Sequence, residues 1–271
     1  VFTASHGSKA CSFWRTTDPL SGEFEEIPGS FPFWDPCLFQ DDDGRVYLYW
    51  GCTNDQPIRG VELDRATFHP LGPPVDLFGG DEGRHGWELF GEADGTAAPT
   101  GTSDFSGDHV APFIEGAWMT KHDGTYYLQY AAPGTEFNTY ADGYYTAPAP
   151  LGPFTYSPHS PFSSLPGGFA PGAGHGSTVQ DEYGNWWHVA TSRISVQHPF
   201  ERRIGIYPAG FDADGVLFCN QEFADHPMVV PRAHIANIYE IDATTGASMM
   251  SMLSSVASAT KAALGTDGIY V

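Results

Sequence analysis

Three stretches of this 271-residue chain repeat one template. Asp35 opens DPCLFQDDDGRVYLYWG, Glu115 opens EGAWMTKHDGTYYLQYA and His175 opens HGSTVQDEYGNWWHVA. In each copy the opening side chain stands nine residues before the glycine of a polar turn. A short apolar run, that turn and a second run rich in aromatic and β-branched residues are the signature of a β-hairpin. Copies packed around an axis bring Asp35, Glu115 and His175 to one end of it, as the innermost strands of a β-propeller do around a central channel. The spacings of 80 and 60 residues suit propeller blades with variable loops better than a solenoid, whose period is shorter and stricter.

A second repeat supports the first. TTDPLSGEF at 16–24 resembles TAPAPLGPF at 146–154. Each leads out of a third strand, through a proline turn, into an edge strand.

The length allows one large all-β domain with a substantial core. The 32 glycines and 22 prolines make the chain turn-rich, and 14% aromatic content suits strands that stack between sheets. A formal charge of −21 with only 12 Lys and Arg argues against nucleic acid or an anionic membrane as a partner. No apolar run reaches the roughly 20 residues that cross a bilayer. The four cysteines (Cys11, Cys37, Cys52, Cys219) lack metal-ligand spacing. Cys37 and Cys52 fall in apolar strand patterns and are expected as buried free thiols. The start, VFTAS, has neither Met nor a charged signal region, so the chain reads as trimmed.

Residues 1–27 read as the outer part of a blade, 33–70 as the next, 110–156 and 173–223 as two more. Residues 71–109, rich in Gly, Pro and Asp with acidic clusters at 81–88 and 92–94, read as a long loop. Beyond residue 225 the β pattern fades, and 249–264 reads as a helix or a poorly specified tail. The organisation expected is a partial propeller over 1–225 and a C-terminal tail, or the start of a further segment, over 226–271. About three blades and part of a fourth cannot close a ring.

Three motifs, WDPCLFQDDDGRVYL at 34–48, IEGAW at 114–118 followed by HDGTYYL, and GAGHGS at 172–177, resemble family 43 of the glycoside hydrolases in order and spacing. These are five-bladed propellers that act on arabinose- and xylose-containing polysaccharides. The resemblance implies that Glu115 is the general acid and that Asp35 orients it and tunes its proton affinity. It places His175 on the central channel beside a bound calcium or sodium ion, and Arg203, with Arg202 next to it, against the sugar or the carboxylates. It implies no organic cofactor. The family's catalytic base is an aspartate in the first blade, and no Asp-Pro strand precedes Asp35. Asp18 lies in the repeated connector, hence at the rim, and is not that base. The first blade is therefore expected to be missing or incomplete, and the chain alone is not expected to match its parent's turnover.

Glycoside hydrolysis needs a protonated carboxyl beside the leaving oxygen and a carboxylate that activates water; in inverting enzymes the two stand about 6.5–9.5 Å apart. Burial or a neighbouring negative charge keeps the acid protonated, and Asp35 supplies such a charge to Glu115. A lone His175 implies a mostly water-coordinated hard ion rather than a zinc site. His188 is expected between sheets. Trp34 and Trp118 flank the marked carboxylates and are the aromatic candidates for stacking on sugar, ahead of Phe33 and Trp87. Asp41, Asp42 and Asp43 read as a solvated turn with Gly44 rather than a calcium loop.

The leading expectation is an inverting glycosidase that releases α-L-arabinofuranosyl or β-xylosyl residues from plant-type polysaccharides or oligosaccharides. A secreted or periplasmic location is favoured over a cytoplasmic one. Fructan hydrolases also use an Asp-Pro motif, but place their acid in a Glu-Cys pair, and Gly follows Glu115 here. The alternative from another class is a propeller that binds carbohydrate without cleaving it.

Overall fold

A computed structural model describes residues 2–4, 13–27, 34–81, 83–89, 112–167, 171–192, 202–221 and 240–264. Its β-strands fall into four antiparallel sheets, an incomplete β-propeller. The first contains β1 (Phe2–Ala4), β2 (Phe13–Arg15) and β3 (Glu25–Ile27). The second runs β4 (Cys37–Gln40), β5 (Val46–Trp50), β6 (Ile58–Leu63), β7 (Val75–Phe78). The third runs β8 (Glu115–His122), β9 (Thr125–Ala132), β10 (Ala141–Ala147), β11 (Thr155–Tyr156), and the fourth β12 (Ser177–Gln180), β13 (Trp186–Ser192), β14 (Arg203–Phe211), β15 (Leu217–Cys219). Sequential pairing gives four-stranded blades of the propeller type in the last three sheets. The repeated connector joins β2 to β3 and β10 to β11, so the first sheet's strands hold the places of a blade's outer three.

Local chemistry explains the hairpins. At the β8–β9 turn Asp123 (φ 46°) and Gly124 (φ 79°) both take left-handed backbone, as a two-residue I′ turn requires. Gly44 and Gly184 take φ of 83° and 87° at the equivalent turns. The turn at 41–45 is only partly solvated. Asp42 and Asp43 are exposed, but Asp41 is buried, 2.6 Å from Lys121 Nζ and accepting from Tyr126 Oη at 2.6 Å. This corrects the expectation of a solvated triad: Asp41 ties the second blade to the third.

The stretch 71–109 is likewise not all loop. VDLF at 75–78 is the second blade's edge strand, hidden from a sequence reading by its shortness and the prolines before it, and Gly86–Glu88 is a 3₁₀ turn. The acidic residues at 92–94 and Phe33 lie outside the described residues.

Between the second and third blades sits the main core, built from Tyr47, Tyr49, Ile58, Ile114, Leu128, Tyr130 and Tyr145, with Phe78 stacked on Tyr145 at 3.8 Å. Each such side chain contributes about 1.5–3 kcal/mol by leaving water. Tyr49 Oη donates to Pro150 O across the blades at 2.8 Å. β8 touches both neighbouring inner strands, β4 and β12, which brings the ends of the three inner strands together.

The chain divides into Val1–Ala224 and Asp225–Val271. In the second unit α1 (Ala243–Leu264) starts at Asp242, whose carboxylate accepts from the Thr244 and Thr245 amides, an N-cap. The helix therefore begins earlier than the sequence pattern suggests. No helix among the described residues is long and apolar enough to cross a membrane.

Candidate active site

The three marked residues stand at the entry to the inner strands. Asp35 lies two residues before β4, Glu115 is the first residue of β8 and His175 lies two residues before β12. A carboxylate oxygen from each acid and an imidazole nitrogen all lie within 4.8 Å of one another.

Unusual backbone makes that approach possible. Asp35 (φ 50°) and His175 (φ 52°) are left-handed, as is Gly116 (φ 63°) next to Glu115. A Cβ on Gly116 would sit 2.9 Å from His175 Cγ, so only glycine lets Glu115 and His175 come this close. The glycines flanking His175 have matching reasons. A Cβ on Gly174 would meet the Tyr140 ring at 2.7 Å, and one on Gly176 would meet His188 at 2.3 Å.

Glu115 is held at both oxygens. Tyr140 Oη donates to Oε1, and the Cys52 thiol donates to Oε2 at 3.3 Å. Cys52 arrives there because Thr53 and Ile114 exchange backbone hydrogen bonds of 3.1 and 3.2 Å across the second and third blades. The thiol also reaches Asp35, and burial, then the two carboxylates, push its pKa up. Burial, then the charge of Asp35, raises the pKa of Glu115 above the ordinary carboxyl value; His175, Tyr140 and Cys52 act in the opposite direction. Among the described residues Asp35 Oδ2 is buried with no hydrogen-bond partner.

A buried polar network supports the His175 loop. Asp142 Oδ2 accepts from the Gly176 amide at 2.8 Å and lies 3.0 Å from His188 Nε2. His188 Nδ1 lies 3.0 Å from Thr178 Oγ1, which donates to Gln129 Oε1 at 2.7 Å. His188 is thus fully buried between sheets, and its role is to fix the loop. Cys52, Tyr140 and Asp142 escape the sequence reading because none shares the repeat's offset. Cys52 also lies two residues past β5, against Glu115, rather than inside a strand as expected.

The other sequence candidates lie outside this cluster. Trp34 precedes Asp35 and is 39% exposed. Trp118 sits between blades, its indole donating to Thr178 O at 3.1 Å, which commits the ring to that interface. Trp87 donates to Tyr156 Oη at 3.0 Å in a different cluster. Arg203 starts β14 opposite Ser192, one residue from Thr191, whose amide donates to Gly174 O. It therefore stands at the His175 end of the fourth blade, two strands outward.

A further buried carboxyl, Glu88, lies outside this centre. Glu88 is fully buried, accepts from Tyr130 Oη and from the Asp81 amide at 2.7 Å, and lies 3.0 Å from His85 Nδ1. Every one of these partners belongs to the scaffold.

A hard ion such as calcium takes six to eight oxygen ligands. The cluster offers one imidazole nitrogen and an oxygen from each of two carboxyl groups, fewer donors than such an ion takes, so water would have to complete its shell.

Residues 12–217 match the family profile described as glycosyl hydrolases family 43. A β-xylosidase of Xylanibacter ruminicola is 31% identical over 154 residues, 51% of this chain and 44% of that protein. Xylosidase/arabinosidase 43A of Humicola insolens is 31% identical over 217 residues, 73% of this chain and 62% of that protein. The chain thus spans about half the length of the curated relatives it matches. A thermostable family-43 glycoside hydrolase structure superposes with a TM-score of 0.62 at 22% identity, covering 86% of this chain and 74% of that one.

Proposed function

The chain belongs to glycosyl hydrolase family 43, and on that premise we propose that it carries the acid half of an inverting glycosidase that releases α-L-arabinofuranosyl or β-xylosyl residues. One observation carries this reading: burial and the adjacent Asp35 charge favour the protonated form of Glu115, while Tyr140 and Cys52 fix its two oxygens. A carboxyl that keeps its proton toward neutral pH serves as general acid to a glycosidic oxygen. Asp35 is the orienting and tuning residue. Its oxygen lies within 4.8 Å of one from Glu115, which leaves no room for the water that separates an inverting acid and base. Trp34 is the surface on which a sugar ring would stack, and Arg203, at the His175 end of the fourth blade, is the cation that would meet the sugar. A polymeric plant substrate fits a secreted or periplasmic location.

The relatives' names, β-xylosidase and xylosidase/arabinosidase, support the pentose class. Among the described residues the cluster holds two carboxyls, both used on the acid side. That observation favours, as a second reading, a propeller that binds pentosides without cleaving them.

Leaving-group dependence tests the acid. Glu115→Gln lowers turnover by roughly 10²–10⁴ on unactivated oligosaccharides, the usual range for general-acid catalysis, and by less on nitrophenyl glycosides, whose leaving group needs less protonation. Equal losses on both would remove Glu115 from the role. Saturable binding of xylo- or arabino-oligosaccharides with no reducing sugar released would establish the second reading. Full turnover by residues 1–271 alone would make Asp35 the base, against the separation described above.

A further inference from the structure

The turn that carries His175 is held from both sides. His175 is left-handed at φ 52°, a conformation that persists in a residue other than glycine only where the surroundings over-determine it. We propose that Asp142, on β10 of the third blade, is the positioning residue that imposes this turn: it grips the chain on either side of His175 and so keeps the imidazole at the carboxyls of Asp35 and Glu115. Its effect on turnover rests on the assignment of Glu115 as the acid; the grip does not.

Both halves of the grip start from one residue. After His175, the Gly176 amide donates to Asp142 Oδ2 at 2.8 Å. Before His175, the link is Ser163: the Asp142 amide donates to Ser163 Oγ at 2.8 Å, and that hydroxyl donates to Ala173 O at 2.6 Å. The Phe162 amide donates to Asp142 O at 2.8 Å, so the segment carrying Ser163 is pinned at the same residue. Asp142 and Ser163 are both fully buried, which keeps bulk water from competing for these bonds.

His188 fixes the carboxylate in turn. Gln129 Nε2 donates to Thr120 Oγ1, whose own proton goes to Thr178 O, which leaves Gln129 Oε1 to accept from the Thr178 hydroxyl. That hydroxyl has one proton to give, so it accepts from His188 Nδ1, 3.0 Å away. Nε2 is thereby turned to Asp142 Oδ2 at 3.0 Å, an ion-pair distance without the alignment of a hydrogen bond. One oxygen of Asp142 thus serves both the His188 ring and the Gly176 amide, while Oδ1 has no hydrogen-bond partner among the described residues. A Cβ on Gly176 would run into the His188 ring and Asp142 Oδ2 together, so the turn rests directly on the pair.

The test follows the imidazoles of the full chain by NMR with labelled histidine, the His175 signal being identified by its loss in His175→Asn. In the wild type Glu115→Gln shifts that signal, because a Glu115 oxygen and a His175 nitrogen lie within 4.8 Å. In Asp142→Asn and in Ser163→Ala the His175 signal no longer answers to Glu115→Gln. Ser163→Ala breaks only the Ala173 link and serves where Asp142→Asn does not fold. Glu88→Gln, which alters a buried carboxyl of the scaffold, keeps the response and so separates a held turn from a general loss of stability. In the active enzyme Asp142→Asn lowers kcat by about 10- to 100-fold and changes KM less, as expected when a group is misplaced by about 1 Å, whereas Glu88→Gln leaves kcat at the wild-type value. A His175 signal that still answers to Glu115→Gln in both grip variants would overturn the proposal. Unchanged kcat in both, or a wild-type His175 signal indifferent to Glu115→Gln, would do the same. If the response is lost as described while Glu115→Gln loses activity equally on all leaving groups, the grip stands and the acid assignment falls.

Discussion

Glu115 and Glu88 are two carboxyls that the fold takes largely out of water. Burial is the first cause of a raised pKa in both. Their surroundings differ. Glu88 is met by Tyr130, the Asp81 amide and His85, all of which favour its charged form against burial. Glu115 is met by Tyr140 and Cys52 on one side and by a second carboxylate, Asp35, on the other. Like charges held together cost stability, and a fold that keeps such a pair beside an unsatisfied oxygen does so at a site with chemistry to perform. Glu88 instead closes the edge of the second blade over the third: Phe78 of β7 stacks on Tyr145, and His85 stacks on Tyr156 at 3.6 Å. A raised pKa marks both residues, and the company of a second acid is what singles out Glu115, the residue proposed as the general acid.

The comparison is sharpest when the two acids are replaced in parallel. Glu115→Gln carries the largest functional effect, the 10²–10⁴ loss described above, and leaves the thermal midpoint equal or higher because it removes a like-charge contact. Glu88→Ala does the reverse. It orphans a backbone amide that cannot reorient, together with Tyr130 and His85, and lowers stability by about 3–5 kcal/mol, the range for breaking a buried charged network. Chemical denaturation and turnover measured on both variants check the contrast; a Glu88→Ala protein as stable as wild type would end it.

pH separates them further. Both folded pKa values lie above those of the unfolded chain, so the stability each contributes is fully present below the ordinary carboxyl value of about 4.3. It is lost as pH rises through the raised folded value, because in that window the folded state holds more protons. Unfolding free energy measured against pH therefore falls across this range, and the fall is shallower in Glu115→Gln. For activity, Asp35→Asn removes a charge that raises the Glu115 pKa, so the alkaline limb of kcat/KM moves to lower pH. An alkaline limb that stays in place would show that Asp35 does not tune the acid.

Smaller effects probe the frame. Gly116→Ala forces a methyl to within 2.9 Å of His175 at a φ of 63°, and is expected to cost about 1–3 kcal/mol of stability. Activity falls with it, because Glu115 and His175 are pushed apart. Arg59→Ala, which removes an exposed ion pair with Asp76 of 2.8 Å, changes stability by about 1 kcal/mol or less. A larger loss there would mean that the edge of the second blade matters more than the Glu88 cluster.

The sequence by itself determined the hairpin repeat, the blade order and the three residues that open the inner strands, because a period of two and a fixed offset to a turn are local properties of the chain. It also carried the family motifs on which Asp35, Glu115 and His175 could be named together. The tertiary structure decided the rest. Cys52 reaches Glu115 only through the Thr53–Ile114 bridge between blades, Tyr140 only from the loop ahead of β10, and Asp142 and His188 only through contact with Gly176. Glu88 read as part of a long loop with acidic clusters and proved fully buried. Trp118, placed beside Glu115 by the sequence, turned into the blade interface. In each case the deciding partner lies on another blade or loop, and no local pattern encodes which side chain will meet it there.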